Sequence, residues 1–343
     1  RGLRPFQMKV PVLVFLSSHH LPMKTLLSIL ILGLTLGTAA IAASQPNIVV
    51  ILADDMGPGE PSHAGGIIPT PTLDRMAKEG MRFTDAHTTS AVCTPTRYGI
   101  LTGRYNWRSR LKRGVLFNAT DKALMDPKRR NLPNFLHNAG YHTGCVGKWH
   151  LGADFERAPK NPKPDKSKRG ASWQVDYTKP FKNGPVDLGF DEGFFILSSL
   201  DMAPYLCLRN NQAVSLPTVN KGCPHNEDNK YQRIGAAAAD FEASDCLADW
   251  ASESRDFIKR RAKDKKKKPF FLYLPHTMLH IPLGVSEKFK GSSNWGEYGD
   301  AIQELDHNVG RIFDTLKALD IDEDTIVIYD TDHGPGPGRT PQH

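Results

Sequence analysis

With 343 residues, 39% hydrophobic and 24% charged, the chain can bury a core of its own and has the length of one large α/β unit or two smaller ones. Five cysteines without a CxxC pair exclude a disulfide scaffold and a zinc ribbon, and no stretch after residue 43 is apolar for long enough to span a bilayer. The net charge of +7 owes much to the first residues, because 1–42 carry Arg1, Arg4, Lys9 and Lys24 and no acid, leaving 40 basic against 37 acidic residues elsewhere. That remainder clusters in 158–169 and 260–268, proline-flanked and poor in aromatics, the pattern of solvated loops or helix ends and not of a nucleic-acid partner.

Residues 1–22 precede the first plausible start and read as a non-native leader. Met23-Lys24, the apolar run LLSILILGLTL and the stretch GTAAIAAS, with Ala40-Ile41-Ala42 as an A-x-A site, predict a secretory signal peptide over 23–42. The mature chain would then be secreted or periplasmic. Asn47–Ala53 is an unbroken apolar run of strand length, as in a strand covered on both faces. A helix follows over Thr72–Lys78, with Pro71 near its start and Gly80 beyond its end. Another helical segment ends at Gly140 and a short strand follows. Pro269–Leu274 and Thr325–Asp330 read as two more buried strands. Between them Tyr298, Ile302, Leu305, Val309, Ile312, Phe313 and Leu316 keep a helical period. Residues 153–186 and 200–235, rich in Pro, Asn and Lys, read as surface insertions. The alternation predicts an α/β fold with a mostly parallel sheet and helices on both faces.

Asp54 and Asp55 follow the first predicted strand, and Asp332 and His333 the last. In open α/β sheets ligands collect beyond the carboxyl ends of strands, so the two pairs are candidates to converge. Three carboxylates and an imidazole at one point repel each other unless a cation joins them, and oxygen-rich ligation favours calcium or magnesium. Each pair alone also suits an ordinary strand-end turn. In Ser90–Arg104, Pro95 tolerates a first helical turn and Gly103 ends it, which places Cys93 at a helix N-terminus with Arg97 on the same side. A nucleophile beside a fixed cation at such a terminus suits an anion, although a buried structural cysteine is the commoner reading by residue type.

Cys93-Thr94-Pro95-Thr96-Arg97 with Leu101-Thr102-Gly103-Arg104 resembles the sulfatase signature C-x-P-x-R…TG, and Gly140–Gly152 (GYHTGCVGKWHLG) resembles the second sulfatase signature. Asp54-Asp55 and Asp332-His333 are similar to the family's metal pairs, and the match runs from Pro46 to about Gly334. The resemblance implies an alkaline-phosphatase-like sulfuric ester hydrolase with a catalytic domain over 46–343. It implies a formylglycine made from Cys93 by a formylglycine-generating or anaerobic sulfatase-maturating enzyme, and a sulfated small molecule or polysaccharide as substrate. Calcium, or magnesium or another divalent ion, would bind at Asp54, Asp55, Asp332, His333 and position 93. Arg97 would hold the hydrated aldehyde, Lys148 a sulfate oxygen, and His150 would orient or deprotonate the nucleophile. His280, in an H-x-P-L context, would be the general acid, with His276 competing.

Phosphate or phosphonate esters remain alternative substrates, and a sulfate-binding protein without turnover an alternative function. The family lysine expected after Asp332-His333 finds no counterpart before His343, so the resemblance implies an incomplete chain without the carboxyl-terminal subdomain. Cys145, Cys207, Cys223 and Cys246 are candidates for bridges of undetermined pairing, and Asn118-Ala119-Thr120 fits a glycosylation sequon.

Overall fold

The computed structural model describes residues 45–159, 171–222, 233–266 and 268–335, so the predicted leader, signal peptide and Cys223 lie outside the described residues. Nine strands are defined among these residues. They are β1 (Asn47–Ala53), β2 (His142–Lys148), β3 (Glu192–Ile196), β4 (Leu208–Arg209), β5 (Gln212–Ala213), β6 (Val219–Lys221), β7 (Gly235–Ala237), β8 (Phe270–Pro275) and β9 (Thr325–Thr331). Seven of them form one sheet in the order β5-β4-β3-β2-β8-β1-β9. It is parallel from β3 to β9, with the short β4–β5 hairpin added antiparallel at one edge. β6 and β7 pair separately. The helices are α1 (Pro71–Glu79), α2 (Cys93–Thr102), α3 (Leu132–Asn138), α4 (Cys246–Ala262) and α5 (Gly296–Ala318). The expected mostly parallel α/β sheet is what the chain forms.

Central strands are apolar because helices cover both of their faces. All six residues of β8 are buried, as are six of the seven in β2. Two glycines let β2 approach its neighbours. A Cβ at Gly144 would lie 2.5 Å from the ring of Phe257 on α4, and one at Gly147 would lie 1.9 Å from the Pro275 carbonyl oxygen. Gly147 also has φ +127°, a conformation that side chains disfavour. Among the described residues no helix is long and apolar enough to cross a membrane.

Three sequence expectations need correction. Thr325–Asp330 is not a buried strand. β9 alternates between half-buried and exposed positions, with Ile326 49% and Ile328 46% exposed, because among the described residues it pairs only with β1. Secondly, 153–186 and 200–235 are not merely surface insertions. Phe155 and Phe181 pack at 4.7 Å between ring centroids, tilted by 37°, and join Phe195 of β3, while Leu200, Tyr205, Leu206 and Leu208 are buried. Their polar composition hides a few apolar residues that dock onto the sheet. Thirdly, periodicity passed over β3 and the 17-residue α4, whose charged last turn begins the predicted basic run at 260–268. Among the described residues Cys93, Cys145 and Cys207 form no disulfide.

Candidate active site at the strand ends

Strand register assembles the site. Ala53 of β1 pairs with Thr331 of β9, and Leu52 with Pro275 of β8. Asp54-Asp55, Asp332-His333 and the segment from His276 therefore leave the sheet side by side. The chain ties them together with Asp332 N–H donating to Ala53 O at 3.0 Å and Asp54 N–H to Met278 O at 2.8 Å. β2 delivers Lys148 to the same edge, and α2 begins there with Cys93.

Ligand atoms of Asp54, Asp55, Cys93 and His333 all lie within 4.8 Å of one another. The Cys93 Sγ is 3.4 Å from His333 Nε2 and accepts from Lys148 Nζ at 3.5 Å, and His333 Nε2 is 3.2 Å from Asp55 Oδ1. Asp332 borders this group and is held elsewhere. Its Oδ2 accepts from Arg97 Nη2 at 3.0 Å, and its Oδ1 accepts from the Asp55 N–H at 3.3 Å. Arg97 also lies 3.5 Å from Asp54 Oδ1, donates to Lys148 O at 2.8 Å, and is fully buried. Lys148 pairs with Asp54 Oδ2.

Two cations thus stand among the carboxylates and decide their ionisation. Burial disfavours the Asp54 charge, but Lys148 and then Arg97 outweigh it and hold this carboxyl well below the usual range. Burial, followed by the neighbouring Asp54 charge, pushes Asp332 well above that range. Burial, reinforced by Asp54, drives the Cys93 thiol up as well, so an unmodified Cys93 is a neutral thiol and a weak nucleophile.

The donor set suits a divalent cation. Asp54 Oδ1 is buried and receives no hydrogen bond, and its site collects carboxylates with one imidazole. Carboxylate oxygens favour calcium or magnesium, while imidazole also admits transition metals.

Lys148 and His150 are two residues apart, a spacing that on an extended segment points both side chains the same way, and His150 departs from it. β2 ends at Lys148 and His150 has φ +54°, so strand alternation does not aim the two side chains together. The ring is instead held by Nε2 against Leu116 O at 2.9 Å, leaving Nδ1 buried without a hydrogen bond. Burial and then Lys148 keep the ring neutral, well below its ordinary pKa. Thr94 locks this corner, and the sequence reading gave it no role. Its hydroxyl donates to His150 O at 2.9 Å and accepts from the Leu116 N–H at 3.3 Å.

His280 is half-buried, with Nδ1 2.5 Å from Ile281 O, 3.4 Å from Ser199 Oγ and 4.0 Å from Asp201 Oδ1. Ser199 and Asp201 were likewise not singled out, because they arrive from the loop after β3. His276 is buried, both ring nitrogens lack partners, and burial with Arg97 nearby lowers its pKa to about 3. Because the folded pKa is depressed, the unfolded chain binds the extra proton as pH falls below the ordinary histidine value of about 6.5. His276 should therefore cost stability of about 1.4 kcal/mol per pH unit between roughly 6.5 and 3. Urea unfolding at pH 7, 5 and 4 should show a shallower pH dependence in His276→Leu than in wild type; equal slopes would refute the assignment.

A parallel sheet with this cluster at its strand ends defines an alkaline-phosphatase-like α/β protein. The chain belongs to the sulfatase family, whose profile, described as Sulfatase, matches residues 46–343. It is similar to an N-acetylgalactosamine-6-O-sulfatase of Bacteroides thetaiotaomicron, with 31% identity over 85% of this chain and 60% of that protein. It is also similar to human N-acetylgalactosamine-6-sulfatase, with 30% identity over 87% of this chain and 52% of the relative. A solved Bacteroides thetaiotaomicron structure, reported for the metabolism of multiple glycosaminoglycans, superposes with a TM-score of 0.72 at 30% identity, over 85% of this chain and 63% of its own. The chain thus spans between half and two thirds of the length of these relatives.

Proposed function

We propose that the protein hydrolyses sulfate esters, with sulfated carbohydrates as the substrate class, outside the cytoplasm. The observation that carries this reading is the meeting of Cys93 with Lys148, His333 and the Asp54-Asp55 pair beside buried Arg97. The names of the N-acetylgalactosamine-6-sulfatase relatives support a carbohydrate sulfate, and the apolar run in 23–42 supports secretion or periplasmic export.

Asp54, Asp55, Asp332, His333 and the position-93 side chain would hold one divalent cation, calcium on this donor set. Such an ion would supply Lewis-acid chemistry, a lowered pKa for the attacking oxygen and polarisation of the sulfate. Formylglycine, made from Cys93 by a formylglycine-generating or anaerobic sulfatase-maturating enzyme, supplies a hydrated aldehyde with one hydroxyl to attack sulfur and a second to expel sulfate, which a thiol lacks.

The chain's own residues do the rest. Arg97 holds position 93 in a fixed positive field, and Lys148, already 3.5 Å from the Cys93 Sγ, neutralises a sulfate oxygen. The neutral His150 ring offers its Nδ1 lone pair to a hydroxyl proton. His280 in its imidazolium form gives the Nε2 proton to the leaving oxygen while its Nδ1–H donates to Ile281 O, and Ser199 and Asp201 position the ring. A ring as acidic as that of His276 holds no proton to give at neutral pH.

The test is to co-express the chain with a formylglycine-generating enzyme and compare 4-nitrophenyl sulfate with 4-nitrophenyl phenylphosphonate. Sulfate ester turnover exceeding phosphonate turnover is expected. The reverse preference would assign a phosphonate or phosphate esterase, and sulfate binding without turnover of either would assign a binding protein.

A further inference from the structure

The strongest unassigned feature is a basic and aromatic surface that begins at the far end of α2. Residues 104–130 contain nine Lys and Arg against two acids. Neither acid offsets the patch broadly. Asp121 accepts from the N–H groups of Phe117 and Asn118, and Asp126 pairs with Arg129 at 3.5 Å. Tyr105 and Trp107 are 52% and 57% exposed, and their rings stack on each other at 5.8 Å and 14°. Exposure of two large rings on one short loop is expensive in water, and it is imposed by the loop's construction. Asn106 between them is buried, and its side-chain amide donates to Leu111 O and Lys112 O at 2.9 and 3.1 Å. The Lys112 Nζ donates back to Trp107 O at 2.6 Å. The rings are therefore presented by a braced loop.

Arg104, next to Tyr105 in the chain, lines a cavity of about 250 Å³ with Arg129, Arg130, Tyr98, Thr102 and Asp126. Arg129 is occupied by Asp126, whereas Arg104 and Arg130 form no ion pair among the described residues. Two guanidinium groups without ion pairs in one cavity, one of them adjoining Tyr105 in the chain, together with the exposed Tyr105–Trp107 pair match a polymer carrying anionic groups on apolar-faced rings.

Topology links this surface to the candidate active site. A ten-residue helix is about 15 Å long, so Cys93 and the loop after Thr102 lie at opposite ends of α2. The chain then returns, because the Leu116 N–H bonds Thr94 and Leu116 O holds His150. Exposed Arg108, Arg110, Lys112 and Arg113 lie on that return path.

We propose that Tyr105, Trp107, Arg104 and Arg130 form a second binding surface for an anionic polysaccharide, which grips the body of the polymer while its sulfated end occupies the site at Cys93. The choice of a sulfated glycan rests on the sulfate-ester reading above. Single-stranded nucleic acid fits less well, because the two rings close on each other and leave no gap for a base.

The test measures chondroitin 6-sulfate binding to the full chain by calorimetry, using Cys93→Ala to prevent turnover, with and without the added changes Trp107→Ala and Arg130→Gln. The surface variant should bind roughly ten- to a hundredfold more weakly. In the Cys93 background the same two changes should leave kcat/KM for 4-nitrophenyl sulfate and the melting temperature unchanged, since both side chains are exposed and outside the catalytic cluster. Undiminished polysaccharide binding, or polyadenylate competing as well as the glycan at equal salt, would overturn the proposal. If neither background turns over any sulfate ester yet the surface variant still loses polysaccharide affinity, the catalytic reading falls and the surface stands.

Discussion

Replacing Cys93 by alanine should lower aryl sulfate turnover by roughly 10⁵- to 10⁶-fold, the scale of losing a covalent nucleophile. The fold should survive. Cys93 is buried at the first turn of α2, and removing one sulfur costs about 1 kcal/mol when neighbouring groups remain paired. The thiol itself is not the expected nucleophile, since burial and Asp54 keep it protonated. In active material the tryptic peptide Phe83–Arg97 should carry the mass of the aldehyde or its hydrate. Full activity with only unmodified thiol in that peptide would sink the formylglycine assignment. Cys93→Ser should at best accept one sulfate slowly without releasing it, because a serine ester has no second hydroxyl to expel the group.

Chelation should abolish turnover, with calcium or magnesium restoring it; metal-free protein of undiminished activity, verified by elemental analysis, would contradict the proposed centre. Asp54→Asn should remove metal binding and also destabilise the fold by about 3–5 kcal/mol, the scale of breaking a buried ion pair. Crowded carboxylates alone predict that Asp54→Asn weakens metal binding more than it weakens the fold. Its pairing with Lys148 and Arg97 reverses that expectation, because the amide would leave two buried cations short of a counter-charge. Calcium titrations and urea unfolding of wild type and Asp54→Asn separate the two effects. A variant with unchanged stability would show that Lys148 and Arg97 do not depend on Asp54.

Much of the site was legible because its parts are local. Cys93 and Arg97 are one helical turn apart, and each candidate metal pair occupies adjacent positions just past a strand. Short apolar runs such as Asn47–Ala53 advertise strands whose faces are both covered. The roles of Thr94, Ser199 and Asp201 were not legible. A hydroxyl that bonds a carbonyl 56 residues away, or a hydroxyl and a carboxylate 81 and 79 positions from the histidine they adjoin, leaves no periodic or motif signal. Between the two histidines the x-P-L context favours His280 in the sequence, whereas the burial that lowers the His276 pKa to about 3 and keeps that ring neutral is a tertiary property.

The sequence by itself determined the alternation of strands and helices, the residue types at the strand ends and the helix that presents Cys93. These follow from side-chain period, turn chemistry and backbone preference, which act over a few residues. Tertiary structure alone decided which of these groups meet and in what state of charge. The register of β1 with β9 and β8 brings together residues nearly 280 positions apart, and burial there makes each neighbour's charge strong enough to set the next group's ionisation. Neither a long-range register nor a local dielectric is written in any short stretch of chain, because both depend on what the rest of the molecule packs around it.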